Sequence, residues 1–302
     1  MRMDSILHQT RQDFELILLD DASQDGSGDY LETFLGRPGV RLIRNSQNTG
    51  SPFAQWNRGL GVATGDLIWI AESDDVASPQ FLEVLAGILD RDPSVGLAFC
   101  RSQRIDEEGV ILSDNTSTAE NEIWHNNFQM DGRTAVSEPL YLSNIIVSAS
   151  AVVFRRDLYE KVGPAKTTFR LSGDWMQWCE MLLLSDLYYV SEPLSGTRIH
   201  TNTRRYSTVS NGTLELESLA VQSRLRKRLT IDRRVVRKGA EAIAVSWLQA
   251  MRAGRYSGSF FRNLRLLSRL LQADLYTGCW FAIRWPYAFS VWLIKRFLLG
   301  SH

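Results

Sequence analysis

Short apolar runs and helix-period segments alternate along most of this chain. Phe14-Glu-Leu-Ile-Leu-Leu-Asp20 is apolar through its middle and ends in acids, the pattern of a strand covered on both faces. Val40 to Arg44, Leu67 to Ala71, Val95 to Cys100, Val147 to Phe154 and Leu187 to Val190 read the same way. Between them, Tyr30 to Leu35, Pro52 to Ala63, Pro79 to Asp90, Asp157 to Val162 and Trp175 to Leu184 carry helical spacing. Strands alternating with helices at this rhythm predict an α/β fold built on a mainly parallel sheet flanked by helices. Residues 105 to 145 are polar and mixed, and read as an insertion carrying loops. From about Glu215 to Leu271 the pattern is long, helical and rich in arginine, with a break at Gly254 and Ser257-Gly258. The expected organisation is a catalytic domain over 1–212 and a basic helical extension over 213–302.

Composition adds less than charge does. With 302 residues, 44% hydrophobic and 23% charged, the chain can bury a large core, which excludes a disordered or fibrous class. Cys100, Cys179 and Cys279 are scattered and form no metal-binding pair, so reduced thiols in a cytoplasmic protein are expected. The net charge of zero conceals an asymmetry. From residue 219 onward, 16 Arg and Lys stand against Asp232, Glu241 and Asp274 alone, while the preceding part is acidic. A basic helical tail with Trp280, Phe281, Trp285, Tyr287, Phe289, Trp292 and Phe297 suits an anionic membrane surface, here the inner face of the plasma membrane. An ordinary helical cap with solvated arginines is the plainer alternative. No segment has the clean apolar length of a spanning helix; Cys279 to Leu299 comes nearest and is interrupted by Arg284, Pro286, Lys295 and Arg296. No zinc-finger, recognition-helix or RNA-binding signature is present, so no nucleic-acid partner is expected.

Two predicted strands end in acid pairs, Asp20-Asp21 and Asp74-Asp75. Ligands of open α/β sheets bind at the carboxyl ends of the strands. Adjacent carboxylates are costly there unless donors or a cation neutralise them, and Mg2+ or Mn2+ accepts carboxylate oxygens while leaving positions for phosphate. Alternatively Asp75 caps the next helix, and Asp174 caps the helix at Trp175. His200 alone reads equally well as a hydrogen-bonded loop residue.

The order of these elements resembles family 2 glycosyltransferases of the GT-A fold. Leu18-Leu-Asp-Asp-Ala-Ser-Gln-Asp-Gly-Ser27 is similar to the family's early VDDGSxDGS element. Asn48-Thr-Gly50, Asn57-Arg-Gly59 and Ala63-Thr-Gly-Asp66 resemble the stretch leading to its third strand, and Glu72-Ser-Asp-Asp75 stands where it has a DxD-type motif. Ser172-Gly-Asp-Trp175 resembles its ED element and Arg198-Ile-His200 its RxH element. The resemblance implies a transferase moving a sugar from a nucleotide-diphospho-sugar to a saccharide or lipid-linked acceptor, with inversion, in cell-surface polysaccharide or glycolipid synthesis. It implies donor binding by Asp20, Asp21, Asn48, Arg58 and Asp74, with Asp21 on the base. It further implies a divalent cation, Mg2+ or Mn2+, held by Asp75 and His200, and Asp174 as general base. In the family an apolar strand and nucleotide-binding loop come before the helix that Asp4 to Thr10 resembles. A chain lacking them is expected to show open sheet edges; a non-catalytic, degenerate sugar-nucleotide-binding or scaffold protein is then the alternative.

Overall fold

The computed structural model describes residues 1–114, 122–199, 211–253 and 260–298. They form two compact units, Met1–Gly132 with Ile146–Ile199, and Arg133–Ile145 with His200–His302.

The first unit begins with helix α1 (Arg2–Leu7), strand β1 (Leu16–Asp20), helix α2 (Ser27–Glu32) and strand β2 (Val40–Arg44). β1 and β2 pair in parallel as a two-stranded sheet of their own. Helix α3 (Pro52–Leu60) starts where Ser51 accepts from the Ala54 amide with proline at the first helical position, two features that set a helix start. It lies so close to β1 that a Cβ on Gly59 would stand 2.9 Å from Leu19.

The larger sheet is seven-stranded. Its path runs β3 (Leu67–Trp69), β8 (Val152–Arg155), β5 (Val95–Ile105), β9 (Asp186–Arg198) and β4 (Val76–Ala77), with β6 (Ile111–Asp114) on β5 and β7 (Phe128–Met130) on β9. The long central ladder, β5 on β9, is parallel, and the shorter pairings around it are antiparallel. Helix α4 (Phe81–Arg91) covers this sheet with Phe81, Leu85 and Leu89 fully buried. Helices α7 (Arg156–Val162) and α8 (Gly173–Leu182) complete the unit. Trp175 and Trp178 of α8 are core residues.

Two results depart from the sequence pattern. The strand expected over Leu187 to Val190 continues to Arg198, because β9 borders β5, β7 and β4 along its length. Part of the polar stretch 105–145 is ordered structure, since β6 and β7 add to the sheet as edge strands. Among the described residues, β1 pairs only with β2 and β3 only with β8, so each has an unpaired edge. Most of their side chains are half-buried, unlike those of β5 and β8.

The second unit contains helices α5 (Gly132–Ser137, from its second residue) and α6 (Pro139–Leu142), followed by α9 (Thr213–Leu225), α10 (Arg233–Arg252), α11 (Phe260–Ala273) and α12 (Leu275–Leu298). Asp232 caps α10 by accepting from the Arg234 amide. The core joins Trp247, Met251, Leu266, Leu270, Phe281, Trp285 and Trp292. The buried Trp247 indole donates to Asn263 Oδ1 at 2.8 Å. α10 ends at Arg252 and α11 begins at Phe260; Gly254 and Ser257-Gly258 lie outside the described residues. No helix among the described residues is long and apolar enough to cross a membrane.

Candidate active site

Asp74 and Asp75 follow β3 across a short turn and immediately precede β4. Asp75 is 2% exposed, whereas Asp74 is exposed. One Asp75 oxygen accepts from Ser148 Oγ at 2.6 Å, and the other accepts from the Arg198 amide at 3.1 Å. Burial pushes the Asp75 carboxyl above its usual range; the Ser148 bond opposes this and the neighbouring Asp74 charge adds to it. The helix that follows is capped at Gln80, so Asp75 is not its cap.

These contacts bring distant segments together. β4 pairs with Ser195 and Gly196 of β9, which places Arg198 beside the acid pair. Arg198 donates through Nε to the Asp74 carbonyl at 2.8 Å and through its guanidinium to the carbonyls of Asp106 and Glu107. The stretch resembling RxH thus meets the acid pair through its arginine. His200 lies outside the described residues.

Ser148 and Ser150 form the floor beneath the pair. The Ser150 amide donates to Ser148 Oγ, and Ser150 Oγ accepts from the Glu72 amide at 3.0 Å and from Arg2 Nη2 at 3.3 Å. Sequence reasoning missed Ser148, Ser150, Arg198 and Arg2 as members of this group; only Arg198 carried a signal, as the first residue of its motif.

The first acid pair is placed differently. Asp20 is buried, accepts from the Ser23 amide at 2.9 Å and pairs with Arg44 at 3.2 Å. Asp21 accepts from Asn45 Nδ2, Gln55 Nε2, the Thr49 amide and hydroxyl, and the Gly50 amide. These donors hold its carboxyl below the usual range against the cost of burial. Asp21 therefore organises the loop 45–51 and the start of α3. That loop, with Arg58 on α3, lines a cavity of about 240 Å3 whose walls include Asn45, Gln47, Thr49 and Gln55. Arg58 donates to Asn45, and Asn48 Oδ1 accepts from the Gly50 amide at 2.7 Å. Between the acids and this loop, Ala22 takes a left-handed conformation, φ 60°, where the VDDGS element has glycine. A residue with a Cβ there carries local strain of about 1–2 kcal/mol.

Asp174 is the second residue of α8, half-buried, with Ser172 at the cap position. It occupies the first turn, where the helix dipole favours a carboxylate. A Cβ on Gly173 would stand 2.5 Å from the Phe53 ring, so glycine permits α8 to approach α3. Trp56 and Trp178 continue that contact, with ring centroids 5.8 Å apart. One packed assembly therefore carries Arg58, the loop that grips Asp21 and the start of α8.

The model of the family "Glycosyl transferase family 2" matches residues 2–163. The chain belongs to that family. It is 31% identical over 200 residues to the uncharacterized protein MT1568 of Mycobacterium tuberculosis, covering 65% of this chain and 61% of the relative. It is 28% identical over 174 residues to a PGL/p-HBAD biosynthesis glycosyltransferase of Mycobacterium bovis, covering 57% and 60%. The chain thus spans about six-tenths of the length of these relatives. Its fold is that of S. aureus TarS 1-349 in complex with UDP-GlcNAc, with TM-score 0.67, 13% identity and coverage of 99% and 87%. It is also that of the mannosyltransferase PcManGT from Pyrobaculum calidifontis in complex with GDP-Man and Mn2+, with TM-score 0.58, 14% identity and coverage of 99% and 83%. The chain has the GT-A fold, with helices against the sheet and a helical C-terminal region.

Asp74 and Asp75 are of the residue type that a divalent cation takes as ligands. No three acidic, histidine or cysteine side chains among the described residues converge closely enough to hold a metal by themselves. Asp74 and Asp75 offer two hard oxygen donors, and phosphate and water complete such a shell in nucleotide sites. The buried Asp75 carboxylate is the group a nearby positive charge relieves.

Proposed function

We propose that this protein transfers a sugar from a nucleotide-diphospho-sugar to a hydroxyl of a saccharide or lipid-linked acceptor, with inversion, in cell-surface polysaccharide or glycolipid synthesis. The observation that carries the reading is the meeting of Asp74-Asp75, Ser148 and Arg198 at the end of the sheet. The resemblance to TarS bound to UDP-GlcNAc and to PcManGT bound to GDP-Man supports the donor class.

In this reading Asp75 and Asp74 hold Mg2+ or Mn2+, with His200 as a further ligand. The cation supplies charge stabilisation for the departing diphosphate. The cavity beside Arg58 takes the nucleoside, on a frame built by Asp20, Asp21 and Asn48. Asp174 accepts the proton of the acceptor hydroxyl as its oxygen attacks the anomeric carbon. The bond from that carbon to the diphosphate oxygen breaks, and the nucleoside diphosphate leaves. One displacement from the opposite face inverts the centre.

The test is nucleoside diphosphate release from a panel of UDP- and GDP-sugars with Mn2+ or Mg2+. Asp174→Asn is expected to lower turnover about 10²–10⁴-fold with donor affinity retained, the range general-base removal spans. Donor binding without release under any donor and acceptor would establish the non-catalytic alternative instead.

We further propose that the second unit rests on an anionic membrane, the inner face of the plasma membrane, which suits a lipid-linked acceptor. α12 supports this. Phe281, Trp285, Ala288 and Trp292 face the core, while Tyr276, Ile283, Tyr287 and Ile294 form an exposed stripe on the same helix. An apolar stripe in water, in a stretch of chain rich in arginine, matches an interfacial helix.

A further inference from the structure

Asn57 stands one residue before Arg58 on α3 and reaches the segment that joins α7 to α8. Its carboxamide grips the backbone of Ala165 at two points. Oδ1 accepts from the Ala165 amide at 2.9 Å, and Nδ2 donates to the Ala165 carbonyl at 2.9 Å. Oδ1 also accepts from the Tyr159 hydroxyl at 2.5 Å. Burial pushes the Tyr159 phenol up to about 12, so it stays protonated and donates at neutral pH. Two donors face Oδ1 and a carbonyl faces Nδ2, which fixes the orientation of the carboxamide. Ala165 itself is buried.

The same segment is held from its other side. Gly163 ends α7 with φ 86°, a conformation open to glycine. Its carbonyl accepts from Gln177 Nε2 at 3.0 Å. Gln177 is buried on α8, three positions after Asp174 and so on the same side of that helix. A continuous path of bonds therefore runs from α3 through Asn57, the strap 163–165 and Gln177 to the turn of α8 that bears Asp174. From the strap, the largely exposed residues 166–171 lead directly to Ser172 at the start of α8.

We propose that Asn57 is a positioning residue for Asp174: by clasping the strap between α3 and α8, it sets where that carboxylate stands relative to a donor held beside Arg58. This rests on the reading of Asp174 as the base of sugar transfer. A base works only within hydrogen-bond reach of the hydroxyl it deprotonates, about 2.6–3.2 Å. Asn57 and Arg58 are neighbours on one helix, so the clasp refers the base to the same rigid element that lines the donor cavity. Without the carboxamide, the buried Ala165 carbonyl loses the Nδ2 donor, and an unpaired buried carbonyl is costly enough to shift the strap. The first turn of α8 then moves with it.

The experiment compares full-length wild type with Asn57→Ala, Gln177→Met and Arg155→Gln. Arg155 donates to the carbonyls of Leu89, Asp92 and Val95, so its loss weakens the same unit without touching the strap. Four readouts are taken: nucleoside diphosphate release from the UDP- and GDP-sugar panel, affinity for UDP or GDP with Mn2+, thermal melting, and amide hydrogen exchange over α8. Asn57→Ala and Gln177→Met are expected to lose turnover about 10–100-fold, the scale of an ångström's misplacement at a reacting group. Their nucleotide affinity is expected to stay at the wild-type value, and α8 to exchange faster. Arg155→Gln is expected to melt lower and keep wild-type turnover. If Asn57→Ala does not fold, Gln177→Met carries the test from the other end of the strap. Turnover that falls in step with melting temperature in all three variants overturns the proposal, because stability alone then governs rate. Nucleotide affinity lost together with turnover in Asn57→Ala overturns it as well, because Asn57 then acts through the donor cavity. So does unchanged exchange over α8 in a folded Asn57→Ala. Wild-type turnover in both strap variants overturns the role of Asn57 and leaves Asp174 as the base. Nucleotide binding without release in wild type overturns the reading of Asp174, and the role of Asn57 with it.

Discussion

Replacing Ser148 by alanine tests the floor of the acid pair most directly. In the folded protein Ser148 Oγ donates to the buried Asp75 carboxylate at 2.6 Å and accepts from the Ser150 amide at 3.0 Å. Both partners are buried, so no water replaces the hydroxyl without local rearrangement. A hydrogen bond to a charged group contributes about 1.5–3 kcal/mol, and the second bond about 1 kcal/mol. Ser148→Ala should therefore destabilise the first unit by about 2–4 kcal/mol. For a unit of this size that lowers the melting temperature by roughly 5–12 °C. The pH dependence gives a second readout. The Asp75 carboxyl is raised above its ordinary value by burial, and Ser148 opposes that rise. A carboxyl raised in the folded state adds stability only at low pH, and that contribution is lost as pH rises through the folded value. Without Ser148 the folded value climbs further. The gap between variant and wild type should be widest at neutral pH and should narrow on acidification, as Asp75 takes up a proton. Thermal melts by circular dichroism across mildly acidic to neutral pH measure both effects. Melting temperatures within about 1 °C of each other at neutral pH, or a gap that widens toward acid, would refute this account of Asp75.

Three further outcomes follow from the same contacts. Asp75→Asn keeps an acceptor for the Arg198 amide and removes a buried charge, so it should melt above wild type at neutral pH and lose Mn2+ binding; a lower melting temperature would mean that the carboxylate itself holds the site together. Glu15 accepts from Thr64 and Gly65 and pairs with Arg41, contacts that hold its carboxyl at about 2 despite burial, so Glu15→Gln should lower stability at neutral pH and lose that deficit as the pH falls below the ordinary glutamate range; chemical denaturation at two pH values checks this. Ile283→Glu with Tyr287→Glu removes two apolar side chains from the exposed stripe of α12, each contributing about 1.5–3 kcal/mol when buried in lipid, so co-sedimentation with anionic vesicles should fall at least about ten-fold; unchanged sedimentation would separate the stripe from any membrane.

Much of the architecture was legible because the core pattern is local. Val40–Arg44 and Pro52–Leu60 follow from apolar periodicity and from the Ser51-Pro52 start signal. The continuation of β9 to Arg198 was not, because its polar half is strand only through its neighbours. Among the acids, sequence pattern treated Asp20-Asp21 and Asp74-Asp75 as equivalent pairs at strand ends. The fold separates them. Asp21 meets a loop full of donors, while Asp75 is buried under two serines and a backbone amide with an arginine nearby.

By itself, then, the sequence determined the alternation of strands and helices, the family, and which acids stand at strand ends, since each is a matter of residue type and short spacing. Tertiary structure alone decided what those acids touch. Ser148 and Arg198 lie 73 and 123 positions from Asp75, and three strands and two further helices separate the Arg2 helix from the pair. No local period encodes such a meeting. It arises when β4 pairs with β9 and α1 is anchored on β1, because burying a carboxylate is tolerable only where donors and positive charge converge on it.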